Sequence, residues 1–217
     1  CTRLRSLTIP ARLRDFSTDI IGDSAVFENI YVADDHETYG SVNGMLTNKA
    51  GDTILYCPPG RRGALRIPTG IRTIAESAFA GCSRLSSLTI PNFVTTIEDG
   101  AFSGCTGLTA VTFSGGNALG EELTVGASVF ENCERLSNVV FEENSNVVSL
   151  GEAVFSGCTR ITSVSLPATV STISQGLFAG CTNLGNVVFV DDPAGLTEGE
   201  GLTIGSNAFS GCNSLDS

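Results

Sequence analysis

Cysteine is the residue type in this chain with the widest chemistry, because thiolates bind zinc, form disulfides and act as nucleophiles. Seven of the eight cysteines share one recurring frame, with gaps of 23, 28, 25, 23 and 31 residues from Cys82 onward. No C-x-x-C pair is present, which disfavours a zinc site. The seven are Cys1, Cys82, Cys105, Cys133, Cys158, Cys181 and Cys212.

This spacing favours buried thiols over disulfides. In a stacked array, equivalent residues of neighbouring units lie about 4.8 Å apart. Their parallel side chains keep the Cβ atoms farther apart than the mean of about 3.8 Å for a disulfide. We therefore predict a ladder of free cysteines packed as small hydrophobic side chains, with disulfides or zinc as the alternatives. Cys57 stands outside the frame and is predicted to be the most exposed cysteine.

His36 is the only histidine and lies in the acidic run Asp34–Glu37. A metal ligand is one interpretation, and a solvated loop side chain is the one we favour. The chain has no G-x-S-x-G motif to supply a nucleophile. Its paired carboxylates come without an aromatic platform for a sugar. We therefore predict no enzymatic activity, no metal site and no cofactor.

Charge is distributed unevenly along the chain. The 12 Lys+Arg and 23 Asp+Glu give a net charge of −11 and a pI near 4.4. Residues 1–72 carry 9 basic and 8 acidic side chains, whereas residues 73–217 carry 3 and 15. Such an acidic chain is not suited to binding nucleic acid. No run of 18 apolar residues occurs that could insert into a membrane.

Six carboxylates occupy related positions in the frame and should meet at one edge. We call them the acidic rim: Glu121, Glu142, Glu143, Asp191, Asp192 and Glu200. The rim could dock a basic protein partner; the alternatives are a solvated edge that maintains solubility and a calcium site, although no D-x-D-x-D-G loop is present. A weaker cationic feature, which could bind a sulfated glycan, comprises Arg3, Arg5, Arg12, Arg14, Arg61 and Arg62.

The elements that would position these groups follow from an internal repeat. Around each later repeat cysteine the chain reads A-F-x-G-C-x-x-L with small variations, followed by an alternating pair such as Val111 and Phe113. The alternation predicts a short strand, and the apolar spacings of 3 and 4 predict a helical or 3₁₀ turn on the opposite wall. One unit cannot bury its apolar face alone, so the units must stack with their strands in parallel.

Residues 11–70 break this rhythm. Within them, residues 42–57 read as an inserted β-hairpin, with strands over Met45–Thr47 and Thr53–Tyr56 around the turn at residues 48–52. We interpret residues 1–217 as a single solenoid in which 11–70 form an irregular repeat segment. Because the chain starts and stops in mid-repeat, we expect it to be a fragment of a longer array.

The segment Ile74–Pro91 and its later copies resemble the BspA-like, or Treponema pallidum-type, leucine-rich repeats. This resemblance implies an α/β repeat solenoid: a leucine-rich-repeat right-handed superhelix with short parallel strands, here with one inserted β-hairpin. It also implies an extracellular or cell-surface protein. Some members of that family bind host matrix proteins, and the family defines no catalytic residues.

Two functions are compatible with this pattern. The first is a non-enzymatic recognition module for adhesion or protein–protein interaction, with a protein ligand such as a host extracellular-matrix protein. The second is a structural spacer with no ligand of its own. The outward strand residues, which would have to carry a binding site on that face, are small and include no aromatic anchor: Thr89, Thr112, Val140, Ser165 and Val188.

Overall fold

A computed structural model describes residues 3–16, 24–116, 121–189 and 201–215. The chain winds into stacked coils, and each regular coil contributes one strand to each of two parallel walls and a run of turns to a third. Asp191, Asp192 and Glu200 of the acidic rim lie outside the described residues. Within the described part, no helix of the length and apolar character needed to cross a membrane is present.

The first wall is formed by the strands with Val-x-Phe alternation. Along these strands buried residues alternate with outward ones, as for Val111 and Thr112, although in the last strand Phe189 is 40% exposed. Four strands pair in parallel, and a further parallel pair extends the wall. They are β6 (Gly63–Arg66), β8 (Leu85–Ile90), β10 (Ala110–Phe113) and β12 (Asn138–Phe141), followed by β14 (Ser163–Leu166) and β16 (Asn186–Phe189).

The second wall consists of shorter strands, each just before the turns that carry a Phe–Cys pair. Each strand carries an outward Thr except one, in which Ser149 takes its place, and in the last strand Ile204 is exposed as well. The strands are β7 (Thr73–Ile74), β9 (Thr96–Ile97), β11 (Leu123–Val125) and β13 (Val147–Leu150), with the parallel pair β15 (Thr172–Ile173) and β17 (Thr203–Ile204) beyond them.

The third wall is made of turns, so the α/β prediction is wrong in its helical part: the described residues contain no helix. Alternate amides point toward the neighbouring coil instead of along a helix axis. The N–H groups of Ser77, Phe79 and Gly81 donate to carbonyls of the next coil at 3.0, 2.7 and 2.8 Å. Ser77 and Gly81 have φ of 54° and 69°, a left-handed conformation that ends any helix. Every later coil repeats this ladder of hydrogen bonds.

Side-chain ladders fill the space between the walls. Six phenylalanines stack with ring centroids 4.7–5.7 Å apart and planes within 19° of parallel. The repeat cysteines and the leucine or isoleucine three residues later are buried beside them. The stacked phenylalanines are Phe79, Phe102, Phe130, Phe155, Phe178 and Phe209.

The N-terminal part is built differently. Strands β1 (Ser6–Ile9) and β2 (Asn29–Val32) form a separate parallel pair over a small core that includes Phe27 and Ile30. Where the sequence predicts a two-stranded hairpin, three strands run antiparallel: β3 (Tyr39–Val42), β4 (Met45–Asn48) and β5 (Thr53–Tyr56). Strand β5 then pairs in parallel with β7, so these strands extend the second wall rather than protruding from it.

Candidate functional site

The acidic rim begins where the first wall ends. Glu142 and Glu143 follow strand β12, and both side chains are exposed. The Oε2 atom of Glu142 accepts a hydrogen bond from the backbone N–H of Gly115 in the preceding coil, at 3.0 Å. A Cβ atom on Gly115 would lie 1.9 Å from the carbonyl oxygen of Glu143. The two coils therefore touch backbone to backbone at this point, and the hydrogen bond from Gly115 holds the carboxylate of Glu142 in place.

Glu121 lies on the same edge, in the segment that connects β10 to β11, but its environment differs. Its carboxylate forms an ion pair with the guanidinium of Arg72, which also donates to the carbonyl of Phe93. The rim predicted from sequence is thus divided: Glu142 and Glu143 present negative charge to solvent, whereas the charge of Glu121 is balanced within the fold. In the part of the chain that the structure describes, no group of three or more potential metal ligands is arranged to hold a cation.

A second acidic surface, which the sequence reasoning missed, lies between the second wall and the turns. Glu76, Glu98 and Asp99 line an open groove of about 350 Å³ together with the outward Thr96 and Thr124. Glu98 accepts the backbone N–H of Glu76 at 2.9 Å, and Asp99 accepts that of Ala127 at 2.8 Å. These carboxylates therefore tie neighbouring coils together. A sequence signal was available, because Glu76, Asp99 and Glu152 each lie six residues before a repeat cysteine.

The repeat cysteines described by the structure are free thiols, as predicted. Each Sγ donates to a carbonyl oxygen of the preceding coil, for example Cys105 to Phe79 at 3.2 Å and Cys181 to Phe155 at 3.1 Å. Burial raises the pKa of Cys133 and of Cys181 to about 12. Thiols held protonated in this way are poor nucleophiles and poor metal ligands.

The prediction for Cys57 is wrong. Its side chain is 1% exposed, and its carbonyl accepts the Sγ hydrogen bond of Cys82 just as the carbonyl of Phe79 accepts that of Cys105, so Cys57 occupies the phenylalanine position of its coil. It escaped the sequence frame because strand β5, and not a copy of the repeat, precedes it. The partly exposed cysteine is Cys212, in the last coil.

His36 is also placed differently from the prediction. It is 1% exposed rather than solvated, and its Nδ1 accepts the backbone N–H groups of Thr38 and Tyr39, both at 3.1 Å. Its ring lies 5.2 Å from that of Tyr39. The side chain therefore closes a tight turn between β2 and β3. An acidic neighbourhood in sequence gave no indication of this local hydrogen bonding.

The predicted cationic feature is only partly assembled. Glu28 forms ion pairs with Arg62 at 2.7 Å and with Arg5 at 4.0 Å. The hydrogen bond from Arg62 is the main reason why the pKa of Glu28 is lowered. Arg61 turns away and donates to the carbonyl of Asn43. Arg3, Arg12 and Arg14 are exposed.

The sequence that forms these ladders and walls matches a protein-family model. The model for the BspA-type leucine-rich repeat region aligns in six copies over residues 63–184 and 119–217, which is more than half of the chain. The chain belongs to the BspA-type leucine-rich repeat family. No curated protein matches it in sequence. The family match indicates no enzyme.

Solved structures of bacterial leucine-rich repeat proteins share the fold of this BspA-type chain. One from Eubacterium ventriosum has a TM-score of 0.67 at 23% identity, over 95% of this chain and 58% of its own. A leucine-rich cell surface protein from Faecalibacterium prausnitzii gives 0.59 at 24%, over 98% and 47%. The leucine-rich repeat protein of T. pallidum gives 0.50 at 26%, over 82% and 87%. The chain thus spans about half of the first two proteins.

Proposed function

We propose that this BspA-type chain is a non-enzymatic recognition module of a cell-surface protein, which binds a protein partner through the acidic rim. The observation that carries the proposal is the exposed pair of carboxylates at Glu142 and Glu143, of which Glu142 is held by its hydrogen bond from Gly115. A rigid edge holds charge in one place, so it meets a complementary basic surface with little loss of side-chain entropy.

The surface location is supported by similarity alone. The related structure from F. prausnitzii is described as a leucine-rich cell surface protein, and another neighbour is described as the pneumococcal vaccine antigen PcpA. For a module displayed in this way, a host extracellular-matrix protein is the partner class that we propose for adhesion.

The experiment measures binding of the purified chain to a panel of extracellular-matrix proteins at low and high salt. The variant E142Q/E143Q removes two charges and keeps the acceptor for Gly115. We expect it to raise Kd about tenfold for a partner that docks on the rim, since a few rim charges contribute on the order of 1 kcal/mol. The matched control E131Q/E134Q removes the same charge from outside the rim and should leave Kd unchanged.

The other outcomes would contradict the proposal. Saturable binding that is insensitive to salt and to E142Q/E143Q would move the site to the first wall. Absence of saturable binding would favour the second candidate, a structural spacer. The small outward side chains of the first wall, such as Thr112 and Ser165, support that alternative because they offer no large anchor.

A further inference from the structure

The stacking of coils places four exposed arginines in one line. The only three cationic side chains of residues 73–217 are Arg84, Arg135 and Arg160, and each lies two residues after a repeat cysteine. All three are exposed. Arg62 joins them from the irregular segment, because the N–H of Gly63 donates to the carbonyl of Arg84 at 3.0 Å. We call these four side chains the arginine row.

The register of the first wall fixes the spacing of the row. Neighbouring coils are about 4.8 Å apart. Arg62 and Arg84 therefore occupy adjacent coils, as do Arg135 and Arg160, and one coil separates the two pairs. That coil has Gly107 at the equivalent position, where a Cβ atom would lie 2.1 Å from the carbonyl oxygen of Ser83. The row thus has one gap of about 10 Å, and these spacings keep each charge within about one Debye length of the next charge along the row.

The surroundings of the row are polar and rich in hydroxyl groups. The fourth residue after successive repeat cysteines is exposed and carries a hydroxyl in four coils. Thr109 donates to the carbonyl of Ser86 at 2.9 Å and Ser137 donates to that of Thr109 at 3.3 Å, so their oxygens still have lone pairs to accept from a ligand. The four are Ser86, Thr109, Ser137 and Thr162.

The acidic groups of the rim lie too far away to neutralise the row. Arg135 lies in the turn before strand β12 and Glu142 follows that strand, so at least the length of its four residues, about 13 Å, separates them. That distance exceeds the Debye length of about 8 Å at physiological salt. Two carboxylates lie next to the row: Glu28 forms an ion pair with Arg62, and Glu134 directly precedes Arg135 in the sequence. The row keeps a net positive charge.

We propose that the arginine row binds a linear sulfated polysaccharide along the axis of the solenoid. Guanidinium groups hydrogen-bond sulfate oxygens in the planar geometry that they use for other oxyanions, and the flanking hydroxyls accept from sugar hydroxyl groups. A single-stranded nucleic acid would need aromatic side chains for base stacking. The exposed or half-buried residues that flank Arg84, Arg135 and Arg160 include no aromatic side chain: they are Ser83, Ser86, Glu134, Ser137, Thr159 and Thr162. This site is separate from the acidic rim, so an experiment can contradict one of the two binding proposals without contradicting the other.

The test measures binding of the full chain to dextran sulfate and heparin, with unsulfated dextran as the neutral probe. We expect saturable binding to both sulfated chains and none to dextran. The variant R84Q/R135Q/R160Q should lose affinity at least tenfold and show a flatter dependence of log K on log salt, since fewer counterions are released. For a comparison at equal charge, R135Q/R160Q should lose affinity, whereas the control K49Q/R66Q, which removes two exposed cations outside the row and outside the predicted cationic feature, should bind as the parent does.

Several results would overturn the proposal. An equal loss in K49Q/R66Q and R135Q/R160Q would mean that net charge alone, and not the row, governs binding. Absence of binding to both sulfated chains at low salt would remove the site. Equal affinity for single-stranded DNA of matched charge would overturn the assignment to a glycan. The rim variant E142Q/E143Q should retain dextran sulfate binding, and a loss there would place the ligand elsewhere.

Discussion

The regular coils and the irregular N-terminal part solve the same burial problem in different ways. In the coils, each position meets its own equivalent one coil away, so phenylalanines stack on phenylalanines and thiols follow thiols. In the N-terminal part, Phe27 and Ile30 form a small core without such copies, and single side chains such as His36 and Asn48 organise the turns. Repetition makes the first region cooperative along its axis, whereas local hydrogen bonds hold the second.

The largest expected effect comes from two buried phenylalanines, one in each region. Phe130 stacks between Phe102 and Phe155 and is fully buried, as is Phe27. Truncation to alanine should cost about 3–5 kcal/mol at either position. We expect F130A to destabilise the whole array, and F27A to increase amide exchange only in β1 and β2, the strand pair that covers its small core. Hydrogen exchange of both variants measures this. Uniform loss of protection in F27A would show that the two regions unfold as one.

The second largest expected effect on stability comes from a glycine at a close backbone contact between two coils. A Cβ atom on Gly151 would lie 2.5 Å from the carbonyl carbon of Gly126, whereas one on Gly201 would meet nothing within 4 Å. We expect G151A to lower the free energy of unfolding by about 2–3 kcal/mol, because the neighbouring backbone must move, and G201A to change it little. Urea denaturation of the two variants makes the comparison. Equal midpoints would mean that the coils have freedom to separate.

The two regions should also lose stability at opposite ends of the pH range. The pKa of Cys133 and of Cys181 rises from 9.0 to about 12 on folding. Below pH 9 both thiols are protonated in the folded and in the unfolded chain, so their contribution to stability is complete. Above it the unfolded chain releases the thiol protons first, and stability falls by up to about 1.4 kcal/mol per pH unit for each thiol until about pH 12. Urea titrations from pH 8 to 11 should show a shallower fall in C133A/C181A than in the parent.

The N-terminal part has the reverse dependence. Hydrogen bonds from Asn48 and Thr53 lower the pKa of Asp52 from 3.8, so the carboxylate stabilises the turn above that pH and the effect is lost as the pH falls through the folded pKa. The exchange rate of the amides at residues 48–53, divided by their intrinsic rate, should therefore rise below about pH 4, at a higher pH than in the regular coils. In the D52N variant this corrected rate should not change with pH. If D52N keeps the pH dependence of the parent, the prediction is wrong.

The regular coils were predictable from the sequence because each position is repeated. The columns of Phe, Cys and Leu, the parallel strands and the buried thiols all follow from that register. The turn wall was not predictable by spacing, since apolar intervals of 3 and 4 suit a helix equally well, and only the left-handed residues such as Ser77 decide against it. Cys57 and His36 were misplaced for the opposite reason, because no copy of either exists to average over.

The candidate sites show the same division. The edge that carries Glu142 and Glu143 could be assigned from their distance to a repeat cysteine. The pairing of Glu121 with Arg72 could not, since it joins residues 49 apart through a loop of unequal length. The arginine row was visible in the sequence as three arginines at one repeat position, but its extension to Arg62 depends on the register between β6 and β8.

The smallest predicted effect tests the turn wall itself. Ala153 has φ of 54°, and the equivalent residues of two other coils are Gly100 and Gly176, with φ of 61° and 63°. A left-handed alanine is strained by about 1–2 kcal/mol, and glycine loses about 0.5–1 kcal/mol through chain entropy. We therefore expect A153G to raise the free energy of unfolding by about 0.5 kcal/mol. Ala80 lies in the same kind of turn, is exposed and has an ordinary φ, so A80G should lower the free energy of unfolding by a similar amount. Thermal and urea unfolding of both variants measure the difference, and a loss in A153G as large as that in A80G would argue for a helical third wall after all.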